Sequence, residues 1–202
     1  MIEHPAPMRL LALVLLLVAS IVPGSAGAAG TYFTTPQLLK AFFPKSERVT
    51  YRKILLDPSQ QRVLEKRLGY TPARREYVVF VALTGERIDG YALIDDERGQ
   101  HEPITFAVKF SPTGVVERHE VMVYREGYGD EITDSRFRAQ FAGKTGKDVV
   151  RAGQDIDVVT GATISSRSMA VGVRRAIALV EELVIKPAAI AGKQDEAAGT
   201  KG

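Results

Sequence analysis

The chain of 202 residues contains no cysteine. Disulfides, a thiolate nucleophile, cysteine-ligated iron–sulfur clusters, c-type haem attachment and a lipid-modified N-terminal cysteine are all excluded. An electron-carrying role would therefore need an organic cofactor. Histidine is scarce, with three in the chain, and His101 and His119 lack the paired acidic ligands at defined spacing that make a metal site. No block of like charge occurs, and a net charge of +3 is too small and too evenly spread for a nucleic-acid footprint. Tyrosine and phenylalanine are scattered, without the basic interleaving of a single-strand binder. There is no Gly-x-Ser-x-Gly elbow, no P-loop and no internal repeat. No apolar run reaches the roughly 20 residues a spanning helix needs.

What is present begins with an apolar stretch. Leu10 to Val22 is apolar except for Ser20, follows Arg9, and is broken by Pro23 and Gly24 ahead of Ala26-Gly27-Ala28. This is the layout of a signal peptide cleaved near Ala28, with an uncleaved anchor as the alternative. Either reading places the folded part outside the cytoplasmic membrane, in a bacterial periplasm or on the membrane's outer face. Hydrophobic content of 45% and charged content of 25% are those of an ordinary globular chain. The length fits one domain with a small extension.

Along the chain, Thr34-Thr35-Pro36 reads as a helix start, with a helix to about Phe43. A strand over Arg48 to Leu56 follows, then a helix from Asp57-Pro58-Ser59 to Gly69 carrying Val63, Leu64 and Leu68. Glu76 to Leu83 is an apolar run suited to a buried strand, and Thr84-Gly85-Glu86 turns it into Ile88 to Ile94. Ile104, Phe106, Val108 and Phe110 alternate with Thr105, Ala107 and Lys109, a half-buried pattern. Ser111-Pro112-Thr113-Gly114 is a turn into Val115 to Tyr124. A closing helix over Ser165 to Val184 carries an apolar stripe of Met169, Val173, Ile177, Val180 and Val184. Consecutive strands on short turns imply an antiparallel sheet, so the expected class is α+β, an antiparallel sheet flanked by helices. The expected division is a leader over 1–28, an extension of helix and strand over 29–74, a main domain over 75–186, and a disordered tail over 187–202.

Ahead of the closing helix stands Asp157-Val-Val-Thr160-Gly161-Ala162-Thr163-Ile-Ser165-Ser166. A helix start offers backbone N–H groups without intrahelical partners and about half a positive charge, which suits phosphate. Gly161 allows close backbone approach or a positive φ. Ala162 keeps the surface small, and Thr160, Ser165 and Ser166 can bond phosphate or cap the helix. Asp157 is repulsive toward phosphate and is read as orienting the loop or as recognised by a modifying enzyme. Taken alone, the stretch also reads as an ordinary turn before a helix.

Asp157, Thr160, Gly161, Ala162 and Thr163 resemble the Asp-x-x-Ser/Thr-Gly-Ala-Ser/Thr signature of the FMN-binding domain family, found in Rnf- and Nqr-type redox complexes and in the regulator of nitrous oxide respiration. The resemblance covers about Arg75 to Leu183. It implies an FMN-binding domain fold, with FMN joined through a phosphoester to Thr163 by a flavin transferase that uses FAD. An alcohol needs a base to act as nucleophile, and no histidine lies near Thr163 in sequence. The transferase would supply that base.

Arg125-Glu126-Gly127-Tyr128-Gly129-Asp130 departs from the Glu-Thr-Pro-Gly-Leu-Gly segment of the ion-pumping relatives and is similar to the regulator branch. Glu126, Gly127 and Gly129 would border the flavin ring and Tyr128 would stack on it, or pack on the core instead. His101, in a His-Glu-Pro segment that recurs in this branch, would line the flavin cavity or stand in a surface loop. Lys144 and Lys147 are solvated loop cations or phosphate contacts, and His119, amid charged residues, has no assigned role. The resemblance implies an exported electron carrier, more a redox-complex subunit than a stand-alone enzyme. Its donor and acceptor would be membrane or periplasmic proteins. A flavin-free adaptor or sensor, and an FMN-dependent reductase of a small acceptor, are the alternatives.

Overall fold

The computed structural model describes residues 30–189, so the expected leader and residues 190–202 of the expected tail lie outside the described residues. The strands are β1 (Gly30–Thr31), β2 (Arg48–Leu55), β3 (Glu76–Thr84), β4 (Arg87–Arg98), β5 (Pro103–Phe110) and β6 (Val116–Tyr124). They form one six-stranded antiparallel sheet in the order β1-β6-β5-β4-β3-β2. The helices are α1 (Thr35–Phe42), α2 (Pro58–Leu68), α3 (Ser135–Ala139) and α4 (Thr163–Val180). The class is α+β, an antiparallel sheet with flanking helices. Among the described residues no helix is long and apolar enough to cross a membrane.

Local chemistry sets the helix ends. Asp57 accepts hydrogen bonds from the N–H groups of Ser59 (2.7 Å) and Gln60 (2.9 Å), and α2 stops at Gly69 in the left-handed region. Leu64 and Leu68 of α2, with Leu56 before it, enter the same core as α4. Strand β2 pairs with β3 and β1 with β6, so the segment before residue 75 is built into the sheet.

Both faces of the sheet are covered. One carries the main core, in which Phe106, Phe110 and Tyr124 meet Met169, Val173 and Ile177 of α4. The alternation in β5 predicted a half-buried strand, yet Ala107 is fully buried. Leu38, Phe42 and Phe43 cover the opposite face over Ala82, Ala92 and Ala107, whose small side chains admit α1 closely.

Helix α4 begins at Thr163, two residues before the expected Ser165, and passes through a π-helical turn (Glu181–Ile185) to residue 189. The expected tail at Pro187 is therefore helical at its outset, because Leu183 and Val184 remain buried and carry the helix past its predicted end. Two contacts seat α4. Gly172 faces Phe106 so closely that a Cβ would lie 2.7 Å from the ring. Arg175 bonds Asp95 at 2.9 Å through Nε, the Asp96 carbonyl at 2.8 Å, and the Glu97 carboxylate. Burial disfavours the Arg175 charge, but Asp95 and Glu97 outweigh it and raise its pKa. Removing Arg175 would leave the buried Asp95 carboxylate with Arg74, at 3.0 Å, as its remaining ion-pair partner.

His119 is a core residue and not part of the charged surface its neighbours suggested. It is 1% exposed, its ring lies 4.8 Å from that of Phe141, and neither ring nitrogen has a hydrogen-bond partner among the described residues. Burial, helped by the Arg138 charge, pushes its pKa down to about 3. Above about pH 6.5 the ring is neutral folded and unfolded; as pH falls from there toward 3, only the unfolded chain takes up the proton. His119 thus contributes a loss of stability of about 1.4 kcal/mol per pH unit in that window. His119→Leu should lose that contribution, so its unfolding free energy in urea should gain on the wild type's between pH 6.5 and 4. Parallel pH profiles would contradict the assignment.

Candidate functional site

The register places the end of β4, the start of β5 and the end of β6 together, since Arg98 pairs with Pro103 and Thr105 with Val123. The start of α4 is fastened to this end of the sheet. Ser168 Oγ donates to the Arg98 carbonyl at 2.6 Å, and Tyr124 Oη lies 2.9 Å from Ser165 Oγ. The turn holding His101, the segment from Glu126 to Gly129 and the stretch around Thr163 therefore meet at one edge, although they lie far apart in sequence.

Each predicted residue has a definite place there. Glu126 is buried, and its carboxylate accepts the N–H groups of His101 (2.9 Å) and Glu102 (3.2 Å), tying the β4–β5 turn to the segment after β6. His101 itself is exposed. Gly127 has open space around it. Tyr128 is 77% exposed, so it does not pack on the core, and its carbonyl accepts from Tyr124 Oη. Gly129 has φ 91, and a Cβ there would lie 2.6 Å from Tyr124 Oη and 2.7 Å from Ser165 Oγ. Only glycine lets this segment come so close to α4. Burial raises the pKa of the Tyr124 phenol, against the Ser165 hydrogen bond that lowers it, so the hydroxyl remains a donor at neutral pH.

In the motif, the Ala162 N–H bonds the Val159 carbonyl at 3.0 Å, closing a turn in which Gly161 takes φ 88. Ser166 is fully buried and accepts from the Val159 N–H at 3.2 Å, and Ser165 is held by Tyr124. Neither serine caps the helix, nor does Thr160, which is exposed. The N-cap is Ala162, which has no side chain to offer, and the first turn holds no acidic residue. The N–H groups of Thr163, Ile164 and Ser165 consequently have no partner among the described residues. Thr163 is the first residue of the helix and is exposed.

Asp157 is exposed and held by its backbone: its N–H donates to Gln140 Oε1 at 2.6 Å, and its carbonyl accepts from Gln140 Nε2 at 3.4 Å. It lines a groove of about 560 Å³ together with Glu131, Asp134, Arg136, Phe137 and Gln140. Glu131 reaches to 3.3 Å from the position of a Cβ on Gly161. Glu131 thus stands beside Gly161, while the first turn of α4 carries no acidic residue. Lys144 is occupied by Asp155 at 3.0 Å, and Lys147 is exposed.

Residues 99–178 match the model of the family described as the FMN-binding domain. Over this segment the chain is similar to an FMN-binding domain. The match runs from the β4–β5 turn, through the segment after β6 and the Thr163 motif, to the last turn of α4. The rest of the sheet, β1 to β4, lies before it. No curated protein matches the chain. Among solved structures it is similar to the crystal structure of Shewanella oneidensis NqrC, at 19% identity and a TM-score of 0.45, covering 69% of this chain and 80% of that one.

The residues present fit FMN at its phosphate. A helix start with free N–H groups, no side-chain cap and no acidic first turn is an uncompensated partial positive charge. Sequence reasoning found this motif but missed Tyr124, Gln140 and the Arg98 carbonyl, which locate it. None of these has a local pattern that would mark it. Tyr124→Phe leaves the Tyr128 carbonyl without its donor and Ser165 without its partner. It should lower unfolding stability by about 1–2 kcal/mol and speed amide exchange at Gly127 to Asp130, read by hydrogen-exchange mass spectrometry. Unchanged exchange in that segment would show that Tyr124 does not anchor it.

Proposed function

We propose that this protein is an exported flavoprotein that carries FMN through a phosphoester on Thr163. It would relay electrons between a donor and an acceptor in the periplasm or at the outer face of the membrane. One observation carries the reading: within the segment matching the FMN-binding domain, Thr163 stands exposed at a helix start that no side chain caps.

FMN, when bound, supplies the redox chemistry, and the protein supplies position and electrostatics. The N–H groups of Thr163, Ile164 and Ser165 suit the single charge of a phosphodiester better than the double charge of a free monoester beside Glu131 and Asp157. Gly161 turns the chain so that Thr163 stands clear of the loop. Tyr128, exposed next to the same helix end, offers a face for a planar ring. Glu126 fixes the two turns that border it.

Attachment would form a bond from Thr163 Oγ1 to phosphorus and break the diphosphate of FAD, releasing AMP. The hydroxyl proton would pass to a base on a separate FAD-dependent flavin transferase, since His119 is sealed in the core. A covalent tether keeps the cofactor in a compartment that does not make it. With no cysteine to hold a second centre, the protein would need a redox donor and an acceptor, such as a quinol-linked membrane complex or a multihaem cytochrome.

Incubation with FAD, magnesium and the transferase should raise the intact mass by one FMN less one water, and Thr163→Val should abolish the rise. Wild-type protein that emerges colourless and without added mass would refute the carrier role and favour a flavin-free adaptor.

A further inference from the structure

Beyond the start of α4, the geometry points to a second anion site: a cleft walled by Arg151, Arg167 and Arg174 that takes a compact, multiply charged phosphate or diphosphate group. The cleft has a volume of about 320 Å³ and lies between α4 and the loop that precedes the motif. Its charged lining is those arginines alone, with no carboxylate among the lining residues. None of them takes part in an ion pair among the described residues, whereas Arg67, Arg74, Arg118, Arg138 and Arg175 all do. Arg174 Nε is buried and has no hydrogen-bond partner among the described residues. A buried guanidinium N–H without an acceptor is unfavourable, and an oxyanion entering the cleft would supply one.

The arrangement is held in place at a cost. Val150 has φ 46, the one positive φ at a non-glycine among the described residues, in a region where a β-branched side chain is strained. The Asp155 carboxylate holds it there by accepting the N–H groups of Val150 (3.0 Å) and Arg151 (2.7 Å) and the ammonium of Lys144 (3.0 Å). Although burial opposes it, these donors keep the Asp155 pKa below its ordinary value. Asp155 thereby positions Arg151 opposite α4, where Arg167 and Arg174 are seven residues, about two turns, apart on one helix face. Val150 and Val171 form apolar wall between the charges, which lowers the local dielectric and strengthens attraction to an anion. Guanidinium forks converging from two elements match the several oxygens of a phosphate group, where a lone carboxylate would satisfy one fork.

Inorganic pyrophosphate and ADP serve as probes, one free anion and one nucleotide-borne, titrated at low ionic strength into the ¹⁵N-labelled full-length chain. Saturable amide shifts should appear at Val150 to Ala152 and Val171 to Arg174, and Arg174→Gln should weaken binding about tenfold or more, with Arg136→Gln unchanged. Arg151→Gln serves as the second variant if the first does not fold. Tighter binding of ADP would support the site with a nucleotide as its source, and equal binding would support it with a free anion. Absence of saturable shifts, shifts confined to Gly161 to Ser165, or affinity unchanged in the folded variants would overturn it. The site stands whether or not Thr163 carries FMN.

Discussion

Helix α4 is held on the sheet by a buried guanidinium, and the geometry around Thr163 depends on that attachment. Arg175 reaches Asp95 and Glu97 from the middle of the helix, while Gly172 lets the backbone settle against Phe106. A charge pair in a core is weak evidence for net stability, because desolvation offsets the attraction. Its value here is directional. Only one rotation of α4 puts Arg175 on β4, and that rotation turns Ser165 toward Tyr124, Ser168 toward Arg98, and Thr163 with Arg167 and Arg174 away from the sheet. The helix start, with its unpaired N–H groups, then projects from the end where three turns converge.

Most of the local structure could be read before the fold was known. The starts of α1 and α2, the glycine stop at Gly69, the turn at Gly114 and the period of the strands are short-range signals, and the elements they mark appear within a few residues of their expected bounds, whereas β1 and α3 carried no such signal. The long-range features had no such signature. Ala107 reads as the weak side of an alternating strand and is fully buried, because α1 lies over it. His119 reads as surface by its neighbours and is buried by Phe106 and Phe141. Burial follows from what packs above a strand, which strand period alone does not encode.

The same division applies to the site. Thr163, Gly161 and Ala162 were legible because their chemistry is local: a turn, a bare N-cap and an exposed hydroxyl. Ser165 and Ser166 were legible as hydroxyls at a helix mouth, but their partners, Tyr124 and the Val159 N–H, turn them into fasteners of the loop. Glu126 is likewise a clasp across two turns, engaged by the N–H groups of His101 and Glu102. Glu131 and Asp157 line one groove beside the motif, and Arg167 and Arg174 of α4 line a separate cleft.

The central claim is that this geometry selects Thr163, among the hydroxyls of the motif, as the residue bearing FMN. Trypsin cleaves after Arg151 and Arg167, releasing a peptide that holds Thr160, Thr163, Ser165 and Ser166 together. Fragmentation mass spectrometry of that peptide from flavinylated protein measures the position of the added mass directly. The account predicts the whole of it on Thr163. Mass on Thr160, Ser165 or Ser166, or flavin released intact on denaturation with an unmodified peptide, would contradict it.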